Sequence, residues 1–303
     1  MGRTFPVLVC ALLAWPALAR AQRFDDVGVR AQGMAGAFVA VADDASATWW
    51  NPAGLAGGMH LVDLSAEATE GGGRGVALGF PSLGVSYYRL KISQIQPSGS
   101  TALQASDRQD NGAAGSGLPF VDASVSQFGV TVGQSLTSHL VVATTLKLVN
   151  ALSATHPDLD AGIMAAAGVL RVGVAVRDIT EPTFVSGASA FDLTRRARAG
   201  AAVVLDRRGP FERLTLSFDA DLTSAVTEGR DEREVAGGVE AWWFGQRLGL
   251  RGGVGANTVG GGGSFGAVGV TLAPVQHLNL DGALTRGEDS ARDRWTFGLR
   301  VTF

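Results

Sequence analysis

The chain ends in Trp295-Thr296-Phe297-Gly298-Leu299-Arg300-Val301-Thr302-Phe303. Large apolar residues occupy every odd position of this stretch, and small or polar residues occupy every even one. Because successive side chains of a β-strand point to opposite faces, the stretch predicts a strand with one apolar and one polar face. The apolar face would meet a core in a soluble β-sandwich, and lipid in an outer-membrane barrel whose other face lines the lumen. The rest of the chain decides between these two architectures.

The amino terminus has the features of a secretory signal. Arg3 supplies the positive start, residues 5–18 form a short apolar run, and an Ala-Arg-Ala cleavage site ends at Ala21. We therefore predict that residues 1–21 are a signal peptide and that the mature chain begins at Gln22. An uncleaved anchor is the alternative, but the run is shorter than the ~20 residues that a spanning helix needs.

Composition limits the class of protein. Cys10, inside the signal, is the only cysteine, so we expect neither disulfides nor thiolate chemistry in the mature chain. Of 303 residues 42 are glycine and only 17% are charged, and the formal net charge is -3, which does not favour a nucleic-acid partner. A secreted, glycine-rich, weakly charged chain is more typical of a barrel than of a soluble domain.

About fourteen alternating or apolar segments follow residue 59, and they predict an all-β fold. Their bounds are roughly 60–68, 75–80, 83–92, 121–135, 140–151, 158–169, 171–177, 195–205, 214–222, 233–244, 248–254, 264–272, 278–284 and 295–303. The fourth segment changes phase between Val125 and Phe128, which predicts a β-bulge.

The connections between the segments alternate in length. Most odd-numbered gaps are long, such as 93–120, 152–157 and 178–194, and most even-numbered gaps are short, such as 81–82 and 245–247. Bacterial barrels have short periplasmic turns and longer extracellular loops, whereas a soluble sandwich has no reason to sort its loops in this way. The pattern therefore favours a transmembrane antiparallel barrel of about fourteen strands over residues 59–303.

The two faces of the predicted strands differ in chemistry. Residues of both charge signs occupy the polar face, as expected for a hydrated lumen with internal ion pairs: Lys147, Arg171, Arg177, Arg196, Arg198, Asp219, Asp221, Glu240, Arg251, Asp281 and Arg300. A solvated outer face of a soluble sandwich is the alternative interpretation. Aromatic residues lie at segment ends, where a membrane-interface girdle would lie: Trp242, Trp243, Phe244 and Trp295.

Residues 22–58 do not alternate. The stretch 31–42 is small and apolar, Asp44 or Ser46 is suited to cap a short helix, and Pro52 and Gly54 would end it. Such a segment forms no core alone. We expect it to pack inside the barrel as a plug.

Residues 30–56, RAQGMAGAFVAVADDASATWWNPAGLA, resemble the amino-terminal hatch of FadL-type outer-membrane transporters, and equally that of the related PorV/PorQ-type proteins, also called TraF-like. The matching pattern is Gly-x-x-x-Gly/Ala, then Ala-Asp-Asp-Ala-Ser, then Trp-Asn-Pro-Ala-Gly-Leu. Residues 158–179 also resemble a paired-strand signature of the PorV-like branch. The hatch-motif residues are Gly33, Gly36, Asp43, Asp44, Asn51, Pro52 and Gly54.

The FadL-type resemblance implies a plugged barrel of fourteen strands through which hydrophobic molecules pass towards a lateral opening in the wall. Asp43, Asp44, Asn51 and Pro52 would then hold the hatch and its kink. The alternative interpretation is that these residues only fix the turns and caps of the plug.

Two functional hypotheses remain open. The first is passive transport of small hydrophobic molecules across the bacterial outer membrane. The second is a PorV/PorQ-like carrier or scaffold in protein secretion or surface attachment, with a secreted protein as partner. The long gap 93–120 is polar, which favours the second hypothesis, because a lipid-capture site is expected to be apolar.

Catalytic chemistry is not indicated. The four histidines are scattered without metal-ligand spacing, so we expect no enzyme, no metal site and no cofactor. The expected partners are outer-membrane lipid and the barrel-assembly machinery, which would bind the terminal strand with Phe303 as its assembly signal.

Overall fold

The computed structural model describes residues 27–57, 62–70, 72–92, 96–97, 123–186, 189–227, 230–259, 263–288 and 292–303. Three short helices precede the strands: α1 (Val29–Gly33), α2 (Ala47–Trp50) and α3 (Gly54–Gly57). The strands are β1 (Asp63–Thr69), β2 (Gly73–Phe80), β3 (Leu83–Ile92), β4 (Gln96–Pro97), β5 (Ala123–Ser135), β6 (Leu140–Ala151), β7 (Ala154–Ala167), β8 (Leu170–Arg177), β9 (Thr183–Ser186), β10 (Ser189–Asp192), β11 (Arg196–Arg208), β12 (Phe211–Asp221), β13 (Ala225–Thr227), β14 (Arg230–Glu232), β15 (Glu234–Trp243), β16 (Leu248–Asn257), β17 (Gly263–Val275), β18 (Leu278–Gly287) and β19 (Arg294–Thr302). No helix in these ranges is long and apolar enough to cross a membrane.

Fourteen of the strands close into one antiparallel barrel, in the order β1-β19-β18-β17-β16-β15-β12-β11-β8-β7-β6-β5-β3-β2. Closure occurs at β1, where Ala66 lies opposite Val76 of β2 and opposite Leu299 of β19. Strands β4, β9 and β10 form a small separate sheet, and β13 pairs with β14. The predicted fold class is confirmed, and each of the fourteen predicted segments corresponds to one barrel strand.

The barrel wall has an apolar outer face. On β19, Trp295, Phe297 and Leu299 are 36%, 59% and 43% exposed, whereas Thr296 is completely buried on the inner face. The predicted polar positions point into the lumen, where most of them are buried or ion-paired. Apolar side chains outside and charges inside are the reverse of a soluble protein, so the barrel is built for an outer membrane.

Connection lengths orient the barrel. Short turns join β2 to β3, β5 to β6, β7 to β8, β11 to β12, β15 to β16 and β17 to β18. The opposite end carries the longer connections, including 178–195 and 222–233. Because extracellular loops are the longer ones in such barrels, this second end is extracellular, and β1 begins and β19 ends at the periplasmic side.

One extracellular connection is much shorter than predicted. The gap expected at 152–157 is a two-residue hairpin, because β7 starts at Ala154 and pairs with Ala151. Leu152 and Ser153 both have positive φ values, 51° and 67°, as a type I′ turn requires. Neither residue is the Asn or Gly that usually marks such a turn, so the sequence pattern does not reveal it.

Two further predictions are wrong. The register of β5 against β3 is continuous from Ala123 to Val132, so no bulge lies between Val125 and Phe128. Val125 is instead an apolar residue that faces inward, and Phe128 faces lipid. Trp242 does not belong to an outer girdle, because it is only 6% exposed and its ring lies 5.3 Å from the guanidinium carbon of Arg251 inside the barrel.

Candidate functional site

The segment 27–57 lies inside the barrel. Phe38, Trp49 and Leu55 are at most 1% exposed, and helix α1 contacts β16, β17, β18 and β19 from the inside. The chain crosses the lumen without a long helix of its own, so its stability depends on contacts with the wall. The site is therefore the interface between this segment and the inner wall.

Small residues on both sides let the backbones meet. A methyl group at Gly33 would lie 3.0 Å from the Cα of Gly269 on β17. On β8, a methyl group at Gly173 would lie 2.8 Å from the carbonyl oxygen of Val39. These distances are shorter than ordinary contacts, so a side chain at Gly33 of the segment or at Gly173 of the wall would force the two backbones apart.

The other two motif glycines have separate reasons. Gly36 has a φ of 80°, a left-handed conformation that other residues adopt at a cost, and it lies against the ring of Trp50. A methyl group at Gly54 would overlap the carbonyl oxygen of Ala42. Gly54 is thus fixed by a close approach between two parts of the segment.

Asn51 ties the segment to the wall. Its side chain is fully buried, and its Nδ2 donates to the carbonyl oxygens of Val39 at 3.0 Å and of Ile163 on β7 at 3.2 Å. Its Oδ1 accepts from the amide of Ala53 at 3.1 Å. Pro52 packs beside it against Gly162.

Asp219 anchors the segment to another part of the wall, strand β12. One carboxylate oxygen of this β12 residue accepts hydrogen bonds from the backbone amides of Phe38 and Val39, both at 2.8 Å. Asp219 and Asp221 belong to the lumen charges for which the sequence predicts internal ion pairs. Of the two, and within the part of the chain that the structure describes, only Asp221 pairs directly with an arginine, since its Oδ1 accepts from Arg198 Nε at 2.6 Å. No signal in the sequence connects Asp219 with residues 180 positions earlier.

A buried ion-pair network, here called the Arg30 network, consists of Arg30, Asp43, Asp44 and Glu240. The guanidinium of Arg30 donates to both oxygens of Glu240 on β15, at 2.7 and 2.6 Å. It also donates to Asp43, and to Asp44 at 3.2 Å. Three of these residues belong to the segment and one to the wall, so the network fastens one to the other.

Charge balance holds the network ionised. Burial alone would raise the pKa of Asp43, but the charges of Arg30 and Arg171 lower it below its usual range. Burial likewise opposes the charge of Arg30, and its acidic neighbours raise the pKa of the guanidinium instead. Removing one partner from such a buried pair costs roughly 3–5 kcal/mol, because it leaves the other charge uncompensated.

Asp44 has a second, local role. Its Oδ1 accepts from the amide of Ser46 at 3.0 Å and from the Ser46 hydroxyl at 2.5 Å, just before α2 begins at Ala47. This is the turn chemistry that the alternative interpretation of the motif assigns to it. Asp44 therefore takes part in both the turn and the Arg30 network.

The Arg30 network borders a cleft at the periplasmic mouth. The cleft has a volume of about 480 Å³ and is lined by Arg30, Asp43, Arg213, Trp242 and Arg300, among others. Arg213 and Arg300 lie 3.6 Å from Asp43 and 3.7 Å from Asp44, respectively. The Arg30 network is thus close to periplasmic solvent.

The extracellular half of the lumen contains a different kind of surface, here called the outer apolar cluster. It consists of Leu90, Val125, Val149, Ala151, Phe184 and Leu193, which are all at most 5% exposed. Four of them come from the inner wall, and Phe184 and Leu193 come from the connection between β8 and β11. Inward-facing apolar residues on β3, β5 and β6 are the sequence signal that could have located it.

Three carboxylates nearby have the spacing of a metal site. Asp158, Asp160 and Asp178 gather within 4.8 Å of one another. The ammonium of Lys147 already lies between them, 3.0, 2.6 and 2.7 Å from their oxygens. We therefore assign this cluster to a structural ion pair that fixes the start of the 178–195 connection.

Some predicted features fall elsewhere. Residues 1–26, the gap 93–95 and the stretch 98–122 lie outside the described residues, so cleavage after Ala21 and the polarity of the long loop stay predictions. Phe303 is 66% exposed on the outer face, and its amide donates to Val62 beside the first strand. Its role as an assembly signal stays a prediction.

Known structures share this architecture. A FadL homologue from Pseudomonas aeruginosa aligns with 94% of this chain and 99% of its own, at a TM-score of 0.56 and 11% identity. The Pseudomonas putida toluene transporter TodX aligns with 93% of this chain and 98% of its own, at a TM-score of 0.54 and 10% identity. No protein-family model and no curated protein matches the chain. At these identities the likeness shows a FadL-like fold.

Proposed function

We propose that this protein is an outer-membrane transport barrel for small hydrophobic molecules and that residues 27–57 are its hatch. The observation that carries the proposal is the outer apolar cluster, a set of apolar side chains packed together at the extracellular side of a lumen otherwise rich in ion pairs. A charged lumen offers nothing to a hydrophobic molecule, whereas these apolar side chains would provide apolar binding surface once they separate.

The hatch assignment rests on the position of the segment, which fills the lumen and is held to the wall by non-covalent contacts alone. Several of its apolar contacts lie over wall glycines, such as Leu55 over Gly84 and Met34 over Gly238. The polar anchors include the Arg30 network, Asp219 and Asn51. Further hydrogen bonds join the amide of Gly28 to Glu67, the amide of Ala45 to Asp63 and the hydroxyl of Ser217 to the carbonyl oxygen of Ala37. A displacement that breaks these contacts would connect the extracellular half of the lumen with the periplasmic cleft.

The fold agrees with this reading. One protein of the same fold is named a toluene transporter, and toluene is a small hydrophobic molecule. The fold alone does not assign the cargo, so the cargo class rests on the apolar cluster.

Uptake measurements test the proposal. We would express the protein in a bacterium that lacks its own hydrophobic-uptake barrel and follow radiolabelled toluene and oleate, with labelled glucose as the polar control. We expect faster uptake of at least one hydrophobic probe and no change for glucose. Phe184→Ala should reduce that uptake, because it removes a completely buried ring from the cluster.

The neighbouring residue provides the control. Val185 is 60% exposed, so Val185→Ala leaves the cluster intact and should transport normally. Uptake of neither probe, or equal uptake by both variants, would contradict the proposal. A stoichiometric protein partner found with a barrel that transports neither probe would instead support the secretion-scaffold hypothesis.

A further inference from the structure

Two arginines face the membrane near the extracellular end of the barrel. Arg74 on β2 and Arg89 on β3 lie directly opposite each other in the strand register, and both are exposed on the outer face. Like charges at directly opposite positions of two strands destabilise a sheet. An anion bound between Arg74 and Arg89 would remove the repulsion between their positive charges.

The protein does not supply that anion among its described residues. Neither guanidinium forms an ion pair within the described chain, although ion pairs are common elsewhere in the barrel. Arg286, a comparable exposed arginine near the same end, pairs with Asp293 at 2.7 Å. Arg74 and Arg89 therefore differ from Arg286 in having no acidic partner among the described residues.

The register places the pair at a sharp boundary. The outward-facing row that crosses Arg74 and Arg89 continues through Ser126 and Asn150, which are polar. The next outward row towards the periplasm consists of Val76, Tyr87, Phe128 and Leu148, which are all large, apolar or aromatic and 45–53% exposed. One side of this line therefore suits lipid chains, and the other suits lipid headgroups.

On strands β2 and β3 this boundary lies closer to the periplasmic end than the usual upper edge of the apolar band. From Leu83, at the periplasmic turn, to Arg89 the strand rises by only ~16 Å if it is tilted by about 40°. The apolar band of such barrels is ~25 Å tall. Long arginine side chains can reach along the wall, so the pair lies within reach of headgroup phosphates of the outer leaflet.

We propose that Arg74 and Arg89 bind a phosphate group of a phosphorylated glycolipid in the outer leaflet, with Ser126 and Asn150 beside them as neutral donors. Arginine forks match phosphate oxygens with paired, charge-assisted hydrogen bonds. The lipid phosphate neutralises the opposed charges, and its acyl chains cover the Val76 row below. This site is on the outer wall and is independent of what the lumen transports.

The test is a lipid titration. The delipidated full-length barrel is titrated with bisphosphorylated lipid A, and bound lipid is counted by native mass spectrometry. The double variant Arg74→Gln/Arg89→Gln should bind about tenfold more weakly, which corresponds to about 1.4 kcal/mol. Arg286→Gln, which removes an exposed arginine that already has a partner, should bind like the wild type.

Further measurements distinguish binding of the lipid phosphate from binding of the acyl chains. Dephosphorylated lipid A should bind as weakly to the wild type as bisphosphorylated lipid A binds to the double variant, and Arg74→Lys/Arg89→Lys should restore part of the affinity. If the double variant does not fold, as judged by heat-modifiable gel mobility, the two single variants replace it. Unchanged binding by the variants, equal binding of dephosphorylated lipid, or full competition by inorganic phosphate would overturn the proposal.

Discussion

Gly54 shows how a single missing side chain holds the lumen segment together. The carbonyl oxygen of Ala42 occupies the place where a β-carbon would lie, and a backbone carbonyl cannot rotate away as a flexible side chain can. We expect Gly54→Ala to destabilise the folded protein by about 1–3 kcal/mol, as overpacking of a close contact usually does. Urea unfolding in lipid vesicles measures the change.

The wall supplies a matched control for this substitution. A methyl group at Gly237 on β15 would find its nearest neighbour at 3.9 Å, an ordinary contact. Gly237→Ala should therefore leave the free energy of unfolding nearly unchanged. Equal effects of the two substitutions would mean that the close approach at Ala42 does not constrain the segment.

Asp219 allows a test of how firmly the segment is held. Its carboxylate accepts hydrogen bonds from two backbone amides, and Asp219→Asn removes the negative charge that strengthens both of them. We expect the variant to leak small polar dyes from liposomes faster than the wild type. Asp206→Asn is the control, because Asp206 is an exposed residue of the neighbouring strand that contacts Arg213. Equal leakage of both variants would show that Asp219 does not hold the segment.

For single residues, the sequence predicts which face of the wall a side chain occupies better than it predicts which residue that side chain contacts. Alternation placed Asp219 and Glu240 on the lumen face, and they are there. Their partners, the amide of Phe38 and the guanidinium of Arg30, lie 181 and 210 positions away. Such pairs depend on how the segment passes through the closed barrel, which no local pattern encodes.

The phase of β19 can be tested at the scale of one strand. Leu299 faces lipid and is 43% exposed, so Leu299→Arg should impair insertion, because a mid-bilayer arginine costs roughly 2–4 kcal/mol. Thr302, on the inner face, lines the periplasmic cleft, where water reaches it, and Thr302→Arg should have a much smaller effect. Folding yield in lipid vesicles of both variants, compared with wild type, is the measurement, and similar losses would contradict the assigned faces.

Strands were predictable because lipid enforces a period of two along each of them. The exceptions arise where that constraint is relaxed. The inner face of β5 meets apolar neighbours at Val125, so the alternation blurs there without a bulge. The hairpin at Leu152 and Ser153 is fixed by backbone conformation and strand pairing, and its residue types carry no turn signal.

On the scale of the whole molecule, barrel closure explains why the segment must lie inside. Fourteen strands enclose a lumen wider than their own side chains fill, so an unfilled barrel of this size would be a water channel. Residues 27–57 fill it with small apolar residues and a few charges that match those of the wall. The lack of alternation, the small apolar residues and the resemblance to a hatch together predicted a segment inside the barrel, but the fit between its glycines and those of the wall required the structure.

Removal of the segment is the last prediction. Deleting residues 23–56 should leave the strands and their pairing intact and open the lumen, so that liposomes with the variant release small polar solutes that the wild type retains. The wall charges left behind, such as Glu240 and Arg251, pair with each other at 2.6 Å and would tolerate water. Circular dichroism and heat-modifiable mobility establish that the variant barrel has folded. A folded variant that releases no more solute than the wild type would mean that the wall closes the lumen by itself, and the hatch would then need another role.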